Sequence, residues 1–268
     1  QFLAREASRV GKPLVILLGL GSNQGNHTGS EPLASYLQLI GFQSGVAVVT
    51  AAGNETGRGH HFYGNISSGQ AYEDVEIQVA EEEPGFSLEL WSRAPETYSV
   101  SILSPVYGET AGLQVSGSGS DVYQFVLDGT TVFVNYRQVE SWSGGQLILM
   151  RFLKPSKGIW RIRVSNDLYL NGQYHLWLPL TGFIREDTRF LRPNPDMTIV
   201  SPGNGKNILT AGAYQHQNGS IWNYSSRGYS GTGAVKPDLA APGFEVAGMI
   251  PGGRTEVRSG TSIAAAHG

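Results

Sequence analysis

The chain has 268 residues, 40% of them hydrophobic and 15% charged, with a formal net charge of -3 and no cysteine. That is enough apolar material for one large domain or two modest ones, and it excludes a disordered chain, disulfides and thiolate metal sites. The charge gives no ground for nucleic acid or an anionic membrane surface as a partner, and no apolar run reaches the ~18 residues of a membrane span.

The first 70 residues alternate helix-like and strand-like stretches. Phe2, Leu3, Ala7 and Val10 have helical spacing, ended by Gly11-Lys12-Pro13. An opening of QFLAREASRV reads as the middle of a helix, so the sequence is expected to be an internal piece of a longer protein. Leu14–Leu18 is a short apolar run, the pattern of a strand buried on both faces. The polar loop GSNQGNHTGS leads to a second helix at about 31–43, with Ser30 as its expected N-cap and Pro32 just inside. Val46–Thr50 is a further buried strand. Strand, helix, strand in this order predicts a parallel sheet with helical crossovers.

From Ala71 to about Phe183 the rhythm changes to short alternating runs, such as 74–79, 86–91, 123–127 and 160–164. Period-two alternation over many short strands predicts an antiparallel sandwich or jelly roll. Asp128-Gly129 and Asn171-Gly172 are pairs that hairpins use, and Glu81-Glu82-Glu83 reads as a solvated loop. After about residue 195 the α/β texture returns, with Asn207–Ala213 and Glu245–Ile250 as buried strands. The expected layout is therefore an α/β domain in two parts, 1–70 and 195–268, interrupted by an all-β insert at 71–194.

Three motifs carry chemistry. Gly260-Thr261-Ser262-Ile263-Ala264-Ala265-Ala266-His267-Gly268 reads as a tight turn feeding a helix, with a hydroxyl at the helix N-terminus. Ala51-Ala52-Gly53-Asn54-Glu55 follows a strand, and its asparagine can offer an amide N–H to a carbonyl oxygen becoming an oxyanion. Gly19-Leu20-Gly21 ends the first strand. No Gly-rich phosphate loop and no His/Asp metal spacing occurs, so no cofactor and no metal are expected.

Together these strings, with SPGNGKNILTAGA at 201–213 and KPDLAAPG at 236–243, resemble the subtilase serine proteases. The resemblance covers nearly all of 14–70 and 195–268, and not the insert. It implies a subtilisin-like α/β fold and peptide-bond hydrolysis, with Ser262 as nucleophile and Asn54 as oxyanion donor. Gly19, Leu20, Gly21, Ala51, Ala52 and Gly53 would form the peptide-binding cleft. It also implies a cis bond at Ser201-Pro202. Family sequences have Ser-Leu-Gly where this chain has Gly-Leu-Gly, a change that leaves backbone pairing possible. The triad's aspartate and histidine precede these motifs in the family, so they are expected outside this chain, leaving the fragment alone inactive. His267 matches a structural histidine of the motif, and His60 and His61 read as solvated or hydrogen-bonded.

A β-sandwich between the oxyanion asparagine and the serine resembles the architecture of the clostridial Csp germination proteases. That resemblance implies a spore-associated or secreted protein with a protein or peptide substrate. The same group includes members that have lost triad residues, so a pseudoprotease or regulatory scaffold is the competing reading. The insert as a ligand-binding module is a third. Without further strands the sheet would keep an open edge, through which the fragment is expected to self-associate.

Overall fold

The computed structural model describes residues 2–106, 110–111 and 119–268. They form two compact units, one from the residues up to Gly57 together with Pro195–Gly268, the other from Arg58–Asn194.

The first unit begins with α1 (Phe2–Arg9), β1 (Leu14–Leu18), α2 (Pro32–Gly41) and β2 (Val46–Ala51). α1 stops where Gly11 takes the left-handed φ of 65°. β1 and β2 pair in parallel, Leu14 opposite Val46 and Leu18 opposite Thr50. α2 lays Leu37 and Ile40 on Val48 and Ile208, with Ile16, Leu18 and Val46 at the rim of the cluster. Two expectations are corrected here. β1 is not buried on both faces: Val15 is 67% and Leu17 46% exposed, while the alternate residues Ile16 and Leu18 pack against the cluster under α2. Ser30 does not cap α2, which starts after Glu31 with no side-chain cap. The Ser30 hydroxyl is instead engaged by Asn26 Nδ2 at 2.8 Å and by Thr28 Oγ1 at 2.8 Å.

The second unit contains β3 (His61–Asn65), β4 (Tyr72–Val79), β5 (Gly85–Ser92), β6 (Thr97–Leu103), β7 (Thr110–Ala111), β8 (Gly119–Phe125), β9 (Thr130–Arg137), β10 (Gln146–Leu153), β11 (Gly158–Leu168), β12 (Gln173–Trp177) and β13 (Arg189–Phe190). They make one sheet in the order β3-β12-β5-β10-β9-β8 and another in the order β13-β4-β11-β6-β7. All pairings described in the two sheets are antiparallel. Alternate residues of both sheets enter one core, as period-two strands require. Trp160 of β11 meets Phe125 and Phe152 of the other sheet edge-on, with centroids at 5.2 and 5.5 Å, so one indole ties the two sheets together.

Two buried carboxylates, Glu96 and Glu83, shape connections in this unit. Asp128-Gly129 closes the β8–β9 hairpin, Phe125 facing Thr130. Asn171-Gly172 does not close a hairpin, since β11 and β12 lie in different sheets. That crossing is held by Glu96, whose buried Oε1 accepts the backbone N–H groups of Leu170, Asn171 and Gly172. Glu83 is likewise not solvated. It is buried, and Oε2 accepts from Arg185 N at 3.0 Å and Thr188 Oγ1 at 2.8 Å.

The first unit resumes with β14 (Leu209–Gln215), β15 (Gly228–Tyr229), β16 (Val235–Lys236), β17 (Leu239–Phe244), β18 (Val246–Ile250), β19 (Arg254–Arg258) and α3 (Thr261–His267). β14 pairs in parallel with both β2 and β17, which gives the order β1-β2-β14-β17. α3 presents Ala264 and Ala265 to Ala51, Ala211, Ala213 and Ala241. Methyl groups on both sides let the helix lie close to the sheet. The Lys236 ammonium is buried and donates to Ile208 O and Asp238 Oδ2, both at 2.7 Å, while Asp238 Oδ2 also accepts Thr210 N at 2.7 Å. The stretch 245–250 is not a buried strand. β18 pairs with β19 as an exposed hairpin whose Met249 is 87% exposed. The peptide bonds at Ser201-Pro202, Ala94-Pro95 and Lys236-Pro237 are cis, the first as expected.

Candidate functional site

Three chain segments meet in the first unit where β1, β2 and α3 end or begin. The ladder of β1 and β2 closes at Leu18–Thr50, so Gly19-Leu20-Gly21 and Ala52-Gly53-Asn54 leave the sheet side by side. The segment 199–203 is bonded to both. Ser22 and Ser201 exchange backbone hydrogen bonds of 2.9 Å, and Val200 N donates to Ala52 O at 2.9 Å. Ala52 N in turn donates to Ala211 O of β14 at 3.0 Å. Gly53 has a φ of 108°, a conformation open to glycine and strained for other residues.

The start of α3 is pinned to this group. Gly260 N donates to Gly243 O at 2.8 Å, which fixes the turn before the helix. Thr261 is fully buried, and its hydroxyl accepts Gly53 N at 3.0 Å and donates to Asn54 Oδ1 at 3.0 Å. Thr261 N donates to the same Oδ1 at 2.9 Å. A backbone N–H can only donate, so the atom it meets must be the amide oxygen, and Asn54 Nδ2 is turned to the other side. Ser262 follows directly and is half-buried. Its Oγ donates to Gly19 O at 2.7 Å, and a β-carbon on Gly19 would lie 3.3 Å from Ser262 Cβ. Glycine at position 19 therefore gives the serine room that a side chain would take.

The structure thus brings Ser262, Asn54 and Gly19 together, with Ala51, Ala52 and Gly53 behind them and the 62% exposed Leu20 at the rim. Gly21 lies against Val200 and Ser201. His267 is exposed and its Nδ1 meets Ile263 O one turn back at 3.0 Å. His60 and His61 belong to the other unit, where His61 Nε2 lies 3.0 Å from His175 Nδ1 and its ring stacks on Trp177. Behind the site His27 is buried with Nδ1 against Ile199 O at 3.0 Å and Nε2 against Asn23 O at 2.8 Å. Burial holds its pKa below the ordinary histidine value, against the two carbonyls that favour the proton. Among the described residues, no group of three or more His, Cys, Asp or Glu side chains could hold a metal ion.

Three contributors escaped the sequence reading. Thr261 was visible only as the residue before the serine, although a hydroxyl at the start of a helix is a familiar partner for backbone N–H groups. Ser226, whose Oγ accepts Glu55 N at 3.0 Å and whose N–H donates to Gly53 O at 2.9 Å, lies 171 positions from Glu55 with no local signal. Val200 is the third.

The Subtilase family model, Peptidase S8, matches residues 187–267. Among curated proteins, the C5a peptidase of Streptococcus pyogenes is 31% identical over 88 residues, which is 33% of this chain and 7% of that protein. Among solved structures, the Clostridium perfringens CspB protease is similar over 98% of this chain and 55% of its own, with a TM-score of 0.87 and 29% identity. The chain thus spans a small part of C5a peptidase and about half of the CspB chain. No helix among the described residues is long and apolar enough to cross a membrane. The match over α3 and the strands before it, joined to an architecture shared with CspB along almost the whole chain, supports a subtilase assignment with a Csp-like arrangement.

Proposed function

We propose that this chain carries the nucleophile and oxyanion half of a subtilisin-like serine endopeptidase site acting on proteins or peptides. Ser262 is the nucleophile. Asn54 Nδ2 and the Ser262 backbone N–H stabilise the oxyanion that forms when Oγ attacks the carbonyl carbon. Gly19, Leu20 and Gly21 on one side, with Ala51, Ala52 and Gly53 on the other, hold the substrate main chain. In this reading the histidine and aspartate of the triad lie outside residues 1–268, and these residues alone do not turn over substrate. The observation that carries it is the doubly tied Asn54 Oδ1, at 2.9 and 3.0 Å, which aims the amide N–H before any substrate arrives. Preorganisation of this kind is worth about 3–4 kcal/mol in the transition state, a magnitude taken from a subtilase asparagine in that role.

The two-sheet unit between the motifs is read as a jelly-roll-type insert, supported by the nested pairing of β4 with β11 and β5 with β10. Asn54→Ala in the full-length protein tests the site. The expected result is a fall in kcat of about 100–1,000-fold with little change in KM. A loss confined to KM would remove the oxyanion role.

A further inference from the structure

The two sheets of the all-β unit differ in what stands opposite their outward-facing arginines. On β11, Arg161 meets Glu76 of β4 at 3.0 Å and Arg163 meets Asp74 at 2.8 Å, each carboxylate directly across the ladder. In the other sheet Arg151 of β10 lies between Phe133 and Ser87, and Arg137 of β9 lies opposite Leu147. Both arginines are exposed. Among the described residues, Arg151 makes no hydrogen bond or ion pair, and Arg137 reaches only Asn135 Oδ1 at 3.4 Å. Glu89, the carboxylate on the same face of β5, is buried and accepts Trp91 Nε1 at 2.8 Å.

The surface around these two cations is apolar. Val122, Phe133 and Leu153 are 56%, 41% and 43% exposed. They share a face with the arginines, since the alternate residues Val132, Val134, Met150 and Phe152 enter the core. Arg137 and Arg151 stand two rows apart, which is four residues along the strands or about 13 Å. Leu149 lies in the row between them and Leu153 in the row beyond Arg151.

We propose that this face of β8, β9 and β10 docks an extended acidic segment of a partner protein. The cations lack anions of their own, and the apolar side chains between and beyond them ask for apolar ones in return. A lipid surface or a simple polyanion offers no such alternation. An extended chain laid along the strands turns every second side chain to the sheet and advances about 13 Å in four residues. Acids at its first and fifth positions then meet Arg137 and Arg151, and leucines at the third and seventh cover Leu149 and Leu153. The inference is independent of the serine site and holds whether or not Ser262 turns over a substrate.

The test is fluorescence anisotropy of a labelled Glu-Thr-Leu-Thr-Glu-Thr-Leu peptide with the full-length protein carrying Ser262→Ala, so that no cleavage intervenes. A peptide of the same composition, Glu-Glu-Thr-Thr-Thr-Leu-Leu, breaks the alternation. Arg137→Ala with Arg151→Ala removes the two cations, Phe133→Ser removes an apolar contact, and Arg161→Ala with Arg192→Ala takes the same charge from elsewhere. Near-ultraviolet circular dichroism confirms that each variant is folded. The alternating peptide is expected to bind below ~1 mM, and at least ~10-fold more weakly after loss of Arg137 and Arg151 or of the alternation. Phe133→Ser should weaken it ~3-fold, and the Arg161 and Arg192 control should leave it unchanged. No binding, or binding blind to the two arginines or to the alternation, overturns the proposal. Arginine-dependent binding of phosphatidylserine vesicles without peptide binding overturns it in favour of a lipid surface. Arginine-dependent self-association in sedimentation, again without peptide binding, overturns it in favour of a second copy of this chain.

Discussion

Thr261 makes and breaks no bond in the proposed reaction, yet three hydrogen bonds join it to Gly53 and Asn54. Thr261→Val keeps the shape and removes the hydroxyl, which leaves the Gly53 N–H facing a methyl group. A buried donor without its acceptor costs about 1–3 kcal/mol, readable by urea unfolding. With one of its two anchors gone, Asn54 loses orientation, so kcat should fall ~10-fold with KM nearly unchanged. Unchanged kcat would mean that the backbone N–H of Thr261 suffices to hold the amide. The residues of this site were legible in the sequence where the chemistry is local. Gly-Thr-Ser-Ile-Ala-Ala-Ala and Ala-Ala-Gly-Asn are contiguous strings, whereas Val200 and Ser226 reach Gly53 only through folding.

At the scale of elements, charged groups bind strands to one another in both units. Lys236 crosses from β16 to the carbonyl of Ile208 and the carboxylate of Asp238, flanking β14 and β17. Lys236→Met fills the volume but leaves Asp238 without its cation. Asp238 is partly exposed, so the expected loss is about 3 kcal/mol, the lower end for breaking such a pair, measured by chemical denaturation. In the other unit Arg163 of β11 grips Asp74 of β4 through Nε and Nη2, both at 2.8 Å. The hydrogen bond from Arg163 holds the Asp74 carboxyl below its ordinary value of 3.8. A depressed folded-state pKa adds stability above 3.8 that disappears as the pH falls through the lower folded value. Arg163→Leu should therefore flatten the acid limb of the unfolding profile below about pH 4. The pair is a third exposed, so the change near neutrality is under about 1 kcal/mol. An unchanged acid limb would show that other carboxylates set it. Element readings failed where pattern and environment part company. A five-residue apolar run such as Leu14–Leu18 looks the same whether one face or two are covered, and Val246–Ile250 owes its pairing to β19 and not to the central sheet. Asn171-Gly172 does form a turn, but Glu96, 75 positions away from Asn171, decides that it crosses between sheets.

At the scale of the whole chain, each unit has its own core. The all-β unit is continuous in sequence, from Arg58 to Asn194, while the other is assembled from two separated stretches. The alternating rhythm matches the short antiparallel strands of this unit, though not the first of them. His61–Asn65 is short, contains Gly64 against the Tyr174 ring, and joins the sheet only by pairing with β12. Residues 58–194 expressed alone should fold cooperatively, with near-ultraviolet circular dichroism from the buried Trp160 and Trp177. A molten spectrum would show that this core depends on the rest of the chain. The central claim, that Ser262 is a nucleophile beside the Asn54 amide, is tested most directly by treating the full-length protein with a fluorophosphonate probe and mapping the adduct by mass spectrometry. The account predicts a single adduct on Ser262 that Ser262→Ala abolishes; no adduct, or one that survives that substitution, would contradict it.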